Sequence, residues 1–140
     1  MKTSNHPDPK AREMFNKLYA EQAAIEAERP AIQAEGEAAL RRLFDIAQSD
    51  SGQCRTIAKF LLGCYNGERF PFDLTDFRTL DHTLFMDCLA VLKMDAMPLK
   101  EVHQYFPDGG RKFEQLAADW RITDHWAMRQ ELDALKEGKK

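Results

Sequence analysis

The chain has 140 residues, of which 44% are hydrophobic and 31% charged, and its formal net charge is −3. This composition excludes a disordered or fibrous chain and describes one globular domain, and the mixed charges exclude a strong overall field for nucleic acid or an anionic membrane. No apolar run has the length of a signal peptide or a membrane span, so we expect a cytoplasmic protein that does not associate with a membrane.

The first part of the chain predicts a long helical arm. We expect residues 1–9 to be disordered and residues 10–48 to be helical, because apolar residues recur there with the i, i+3, i+4 spacing of one helix face. Pro30 fits the first turn of a helix, so the pattern allows either two helices or one kinked helix. A long helix with an apolar stripe needs a partner surface, which makes residues 10–48 a candidate dimerisation element. The stripe begins with Met14, Phe15, Leu18, Tyr19, Gln22 and Ile25.

The next part, residues 49–122, predicts a compact helical module. Asp50 or Ser51 is expected to cap its first helix, and Asp81 a second, strongly apolar one. Pro98 indicates a further short helix.

The sequence predicts two more helices, one at the end of this module and one in the C-terminal part of the chain. Residues 111–120 are amphipathic, and residues 123–140 contain a last helix and a charged tail. Since no segment is convincing as a strand, we expect an all-α fold: a compact helical module of about five short helices with a long N-terminal helical arm.

The segment "YNGERFPFDLTDFRTLDH" (residues 65–82) is rich in aromatic residues, and most of them fit a structural role. With Asp73 as an N-cap, Phe72 precedes the cap and Phe77 is the fourth helical residue, which is the arrangement of a hydrophobic staple. The same register recurs at Leu80 and Phe85 around the cap at Asp81. The segment is therefore interpreted mainly as two stapled helix starts.

The residues of this segment that the staples do not use are candidates for partner binding. They are Arg69, Phe70 and Arg78, and Phe70 is expected either to tuck inward or to project. Two aromatic residues elsewhere, Phe106 and Trp126, are candidate hot spots, because aromatic anchors of this kind often dominate the binding energy of an interface.

Histidines and cysteines predict no catalytic or metal site. The three cysteines, Cys54, Cys64 and Cys88, lie in apolar helical patterns and are expected to be small buried side chains. The histidines have no metal-ligand spacing, and His82 and His103 are expected in surface or capping positions. We therefore expect a protein that is not an enzyme and has no cofactor.

Nucleic-acid binding is the alternative function. Residues 114–130 have the spacing of a helix-turn-helix. Against this, Arg121 stands where the turn usually has glycine, and Asp124 would begin the second helix with a charge that phosphates repel. A local basic patch could serve instead or in addition. The candidate residues are Arg41, Arg42, Arg55, Lys59, Arg111, Lys112 and Arg121.

Residues of about 38 to 122, and above all the core "YNGERFPFDLTD", resemble an uncharacterised family of small proteobacterial proteins that are often carried on plasmids and integrative elements. The resemblance implies a mobile-element setting and an accessory role, but no known activity. The leading hypothesis is a non-enzymatic interaction or regulatory protein that acts through helical surfaces. It would bind a protein partner, inhibit or modulate a host or element complex, and dimerise through the arm.

Overall fold

A computed structural model describes residues 8–138, and this part of the chain is all-α, as the sequence predicts. Within it, no residue lies in a strand. The elements are α1 (Pro9–Ile46), α2 (Gly52–Tyr65), a first 3₁₀ helix (Leu74–Thr79), α3 (His82–Asp95), a second 3₁₀ helix (Val102–Tyr105), α4 (Gly109–Asp119) and α5 (His125–Gly138).

The predicted arm is one continuous helix, α1, which has 38 residues and passes through Pro30. Its length is about 57 Å at 1.5 Å per residue. Of the N-terminal segment predicted to be disordered, residues 1–7 lie outside the described residues, while Asp8 is the N-cap of α1 and Pro9 its first residue. Pro9 suits that position because its missing N–H would have no helical partner there.

The C-terminal half of α1 belongs to the core and packs antiparallel to α3. Near one end of the contact, an added Cβ at Gly36 would come within 2.4 Å of the Met94 Cβ, so glycine is required for this close approach. Further along, the Arg42 guanidinium donates to both carboxylate oxygens of Asp87, at 3.0 and 2.9 Å. The pairing of Gly36 with Met94 and of Arg42 with Asp87 shows the antiparallel direction.

The rest of the core comes from α2, α4 and the second 3₁₀ helix. Phe113 of α4 is completely buried, and its ring lies 5.4 Å from that of Phe44 on α1 and 5.3 Å from that of Tyr65 on α2. Other fully buried side chains are Leu40, Leu43, Ile57, Leu61, Leu62, Cys88, Val91 and Val102.

Two of the predicted helix starts have the expected chemistry. Ser51 is the N-cap of α2, and its hydroxyl accepts a hydrogen bond from the Cys54 N–H at 3.4 Å. Asp73 caps the first 3₁₀ helix by accepting from the Thr75 N–H at 2.9 Å. The Phe72 and Phe77 rings pack at 4.9 Å, which confirms the predicted staple on a helix that is 3₁₀ rather than α.

Two other predicted helix starts are wrong in detail. Asp81 occupies the N-cap position of α3, but its side chain accepts from the Gln53 side chain at 3.2 Å and makes no capping bond. No α-helix begins at Pro98; the segment forms only the short 3₁₀ helix, whose start is held by the Glu101 N–H donating to the Gln104 side chain.

Candidate functional site: the exposed apolar stripe of α1

The N-terminal half of α1 carries a stripe of large apolar side chains that the described chain leaves uncovered. Every residue from Asp8 to Glu28 is exposed. The stripe consists of five side chains, each 41–72% exposed, and we call it the arm stripe: Met14, Phe15, Leu18, Tyr19 and Ile25. An uncovered cluster of this kind is typical of an interaction site.

The arm stripe continues the face by which α1 packs against α3. Leu18 lies two heptads before Ile32, and Ile25 lies one heptad before it. Phe15 lies three heptads before Gly36. Since α3 covers this face at Ile32 and Gly36 and then ends, the same face continues uncovered towards the N-terminus.

A groove of about 320 Å³ marks the place where the covered part of this face becomes uncovered. Its walls come from α1 and from the C-terminal turns of α3. The lining residues are Glu28, Ala31, Ile32, Glu35, Ala90 and Lys93. The two α1 carboxylates make the α1 wall of this groove acidic.

Charges along the exposed half of α1 are arranged unevenly. Its first part carries three cations, and its second part three carboxylates. The cations are Lys10, Arg12 and Lys17, and the carboxylates are Glu21, Glu26 and Glu28. Glu13 is acidic within the basic part, but it lies on the helix face opposite the arm stripe.

Arg69, a predicted partner-binding residue, is instead the centre of an internal ion-pair network. Its guanidinium donates two parallel hydrogen bonds to the Glu114 carboxylate, both at 2.7 Å, and contacts Asp124 Oδ2 at 3.0 and 2.7 Å. The Tyr65 hydroxyl also donates to Glu114. Hydrogen bonds from Arg69 are the main cause that lowers the pKa of Glu114 and of Asp124, and those two carboxylates raise the pKa of Arg69.

The same network holds the start of α5. Asp124 accepts hydrogen bonds from the backbone N–H groups of Trp126 and Ala127, at 3.0 and 3.2 Å. The His125 N–H donates to the Arg69 carbonyl at 2.9 Å. Arg69 therefore joins the segment after α2 to both α4 and α5. No sequence signal pointed to Glu114 or Asp124 as its partners, because they are 45 and 55 residues away.

The prediction that Phe70 lies on a partner-binding surface is wrong, because its side chain is only 2% exposed and belongs to the core. The Arg69 guanidinium lies 4.7 Å from the centre of its ring and covers it. Of the two outcomes that the sequence left open for Phe70, the structure shows the inward one.

The other predicted partner-binding residues are not gathered into one site. Phe106 is half-buried, and its ring lies 4.7 Å from that of Phe44 with the Arg41 guanidinium above it. Arg78 is exposed in the last turn of the first 3₁₀ helix. Trp126 is 46% exposed on α5, a helix without buried residues.

The residues predicted to bind nucleic acid are mostly used within the chain. Arg41 donates to the Tyr105 carbonyl at 3.0 Å, and Arg55 to the Trp120 carbonyl at 2.7 Å. Ion pairs join Arg42 to Asp87, Lys59 to Asp76 at 2.8 Å and Arg111 to Asp108 at 3.6 Å. Lys112 and Arg121 are exposed, and Arg121 has a φ of 53°, the left-handed conformation for which such a turn usually has glycine.

Histidine and cysteine side chains do not converge on a reactive centre. His103 is half-buried rather than at the surface: its ring packs edge-on against Tyr65 at 5.1 Å, and its Nδ1 is buried. Cys54 and Cys88 are buried as predicted, whereas Cys64 is half-buried. Burial raises the pKa of Cys64 and of Cys88 to about 12, so both thiols stay protonated at neutral pH. Across residues 8–138, no group of three or more potential ligands could hold a metal ion.

The architecture defines an all-α helical module from which one long helix projects, and none of the described helices combines the length and the apolar content needed to cross a membrane. Residues 37–121, more than half of the chain, match a family of unknown function, DUF7673, and the chain belongs to this family. The matched region runs from the buried half of α1 through α4, and it leaves out the arm stripe and α5. No curated protein and no solved structure matches the chain.

Proposed function

We propose that this protein is a non-enzymatic interaction protein, in which the helical module holds α1 and the arm stripe docks against another polypeptide. The observation that carries the proposal is the arm stripe itself: five large apolar side chains on a helical extension, none of them covered by the described chain. Most helical stability in proteins comes from the packing of an apolar face, so packing of the arm stripe against a partner would stabilise this part of α1.

The size of the effect favours docking over simple exposure. Full burial of one such side chain contributes about 1.5–3 kcal/mol. Since the five side chains are 41–72% exposed, about three-fifths on average, covering all five recovers roughly 5–9 kcal/mol per arm. That is comparable with the cost of association, roughly 4–15 kcal/mol, so the arm stripe supports reversible rather than permanent binding when it acts through one arm alone.

A regulatory accessory role in a bacterial mobile element is the biological setting of this proposal. It is supported by the resemblance of the module to small proteobacterial proteins carried on plasmids and integrative elements. In that setting the module would inhibit or modulate a host or element complex by occupying one of its surfaces.

A nucleic-acid role has less support from the geometry. It requires cations that are free to replace the counterions of phosphates. Of the seven candidate residues, five are engaged with carbonyl or carboxylate oxygens of the same chain. Binding of DNA or RNA that weakens steeply with added salt would support this alternative.

Site-specific photo-crosslinking in the native host tests the proposal. A photoreactive phenylalanine analogue replaces Phe15 in the arm stripe, and the matched control places it at Ala27, which is exposed on the opposite face of the same helix. We expect a polypeptide adduct from position 15 and little or none from position 27. Equal yields at the two positions, or no adduct at either, would contradict docking through the arm stripe.

A further inference from the structure

The geometry points to a second copy of this chain as the occupant of the arm stripe, with the two α1 helices antiparallel. This inference rests on the proposed function, because it names the partner of the same surface. Three observations carry it: the direction of α3 on the same face, the register of the stripe, and the distribution of charge along α1.

The first observation is that the fold already places one antiparallel helix on this face. α3 runs antiparallel to α1 over Ile32 and Gly36, and the face continues beyond the end of α3. A second α1 lying antiparallel on the arm stripe would follow the same track as α3. The start of this second helix would then reach the groove between α1 and the end of α3, where its Lys10 would lie near Glu28.

The second observation is that the seam is self-complementary in one antiparallel register. In this register Phe15 of one copy lies opposite Ile25 of the other, and Leu18 of the first copy lies opposite Gln22 of the second. The twofold axis generates each of these contacts a second time with the copies exchanged. Large side chains therefore face smaller or more flexible ones. A parallel arrangement would instead place Gln22 against Gln22 in the middle of the seam.

The third observation is the charge distribution. The same antiparallel register brings Arg12 of one copy next to Glu26 of the other, twice per dimer. Within one chain Glu26 already approaches Arg29 at 3.5 Å, on a half-exposed surface that leaves the carboxylate accessible. A parallel pair would place the basic ends together and the acidic ends together, which is unfavourable. Glu21 lies near the twofold axis and faces its own mate, so this pair opposes dimerisation.

The size of the surface agrees with a modest dimer. Each arm offers the exposed helix from Pro9 to Glu28, about 30 Å long, but only the residues on one face of it can be buried, which is fewer than the 20–30 residues that a standard interface contributes on each side. We expect dissociation constants in the micromolar range.

The first experiment measures the mass of the full chain by sedimentation equilibrium between about 1 and 200 μM, where the monomer has 16.1 kDa. We expect twice that mass at the upper end. Leu18→Lys is expected to weaken dimerisation at least tenfold, while Ala20→Lys, on the outward face of the same helix, leaves it unchanged. Unfolding monitored by circular dichroism checks that the module remains folded in both variants.

A charge exchange then tests the antiparallel register. Arg12→Glu alone places like charges together and is expected to weaken the homodimer, and Glu26→Lys alone is expected to do the same. In a mixture of the two variants, heterodimers form in which each contact again joins opposite charges. Heterodimers that are no stronger than the two variant homodimers would overturn the antiparallel register.

Two other results would overturn the inference itself: a monomer at 200 μM, or a dimer that Leu18→Lys leaves intact. The chain could also prove monomeric while the photoreactive analogue at position 15 still crosslinks to a different protein. That result would refute the inference that a second copy occupies the arm stripe, but it would agree with the proposed function.

Discussion

Replacement of Arg69 by glutamine tests whether the ion-pair network is a structural joint of the fold. Arg69 is 18% exposed and contacts Glu114, Asp124 and the Phe70 ring. The Glu114 pair is two-fifths exposed, so we assign it no more than about 1 kcal/mol, and the less exposed Asp124 pair about 1 kcal/mol. The cation–π contact adds about 0.5–1 kcal/mol.

The expected loss is therefore about 2–3 kcal/mol in the free energy of unfolding, or a melting temperature lower by roughly 6–12 °C for a chain of this size. Thermal and urea unfolding followed by circular dichroism at 222 nm measure it. Arg78→Gln is the matched control, because Arg78 comes from the same segment and is exposed. A loss no greater than that of the control would refute the argument.

The pH dependence gives a second readout of the same network. In the folded chain the pKa values of Glu114 and Asp124 are lowered from their ordinary values of 4.5 and 3.8, mainly by hydrogen bonds from Arg69. A lowered folded pKa stabilises the fold above the ordinary pKa, and this stabilisation is lost as the pH falls. The difference in stability between wild type and Arg69→Gln should therefore be full near pH 6 and shrink below about pH 4.5. A difference that is constant from pH 6 to pH 3 would show that charge pairing is not its cause.

Three further predictions concern the module. Phe72→Ala removes one half of a half-buried staple and should lower the free energy of unfolding by about 2 kcal/mol in urea titrations; an unchanged midpoint would contradict the staple. Gly109→Ala should abolish or severely weaken folding, because the new Cβ would lie 1.6 Å from the His103 carbonyl oxygen. Gly110→Ala is the control and should be tolerated, because the atom nearest to its new Cβ is 3.9 Å away. Cys88, with its pKa raised to about 12, should resist alkylation at pH 8 until the chain is unfolded, and rapid labelling of the native protein would show that burial does not protect it.

Local signals explain why much of the fold could be predicted. Helical periodicity, the cap at Ser51 and the staple of Phe72 with Phe77 depend on residues within about one turn of each other, and each is present in the structure. The same locality explains the errors. Asp81 follows the pattern of a capping residue, but Gln53, 28 positions away, bonds its side chain instead.

The candidate partner residues could be predicted only in part. Arg69 and Phe70 were singled out because no local motif used them, yet they are occupied by distant groups: Glu114 and Asp124 bind the guanidinium, and the core encloses the Phe70 ring. Such contacts leave no periodic trace in the sequence, because no spacing rule connects residues 45 or 55 positions apart.

For the arm, the sequence by itself determined that nearly all of residues 10–48 form helix, which ends at Ile46, and that this helix carries an apolar stripe, since both properties follow from side chains that repeat along one helix face. Only the tertiary structure decided that α1 continues through Pro30 and which part of its stripe is covered. The physical reason is the length of the neighbouring helix: α3 ends just after Met94, which lies beside Gly36, so it covers α1 only as far as about Ile32, and every residue from Asp8 to Glu28 is exposed.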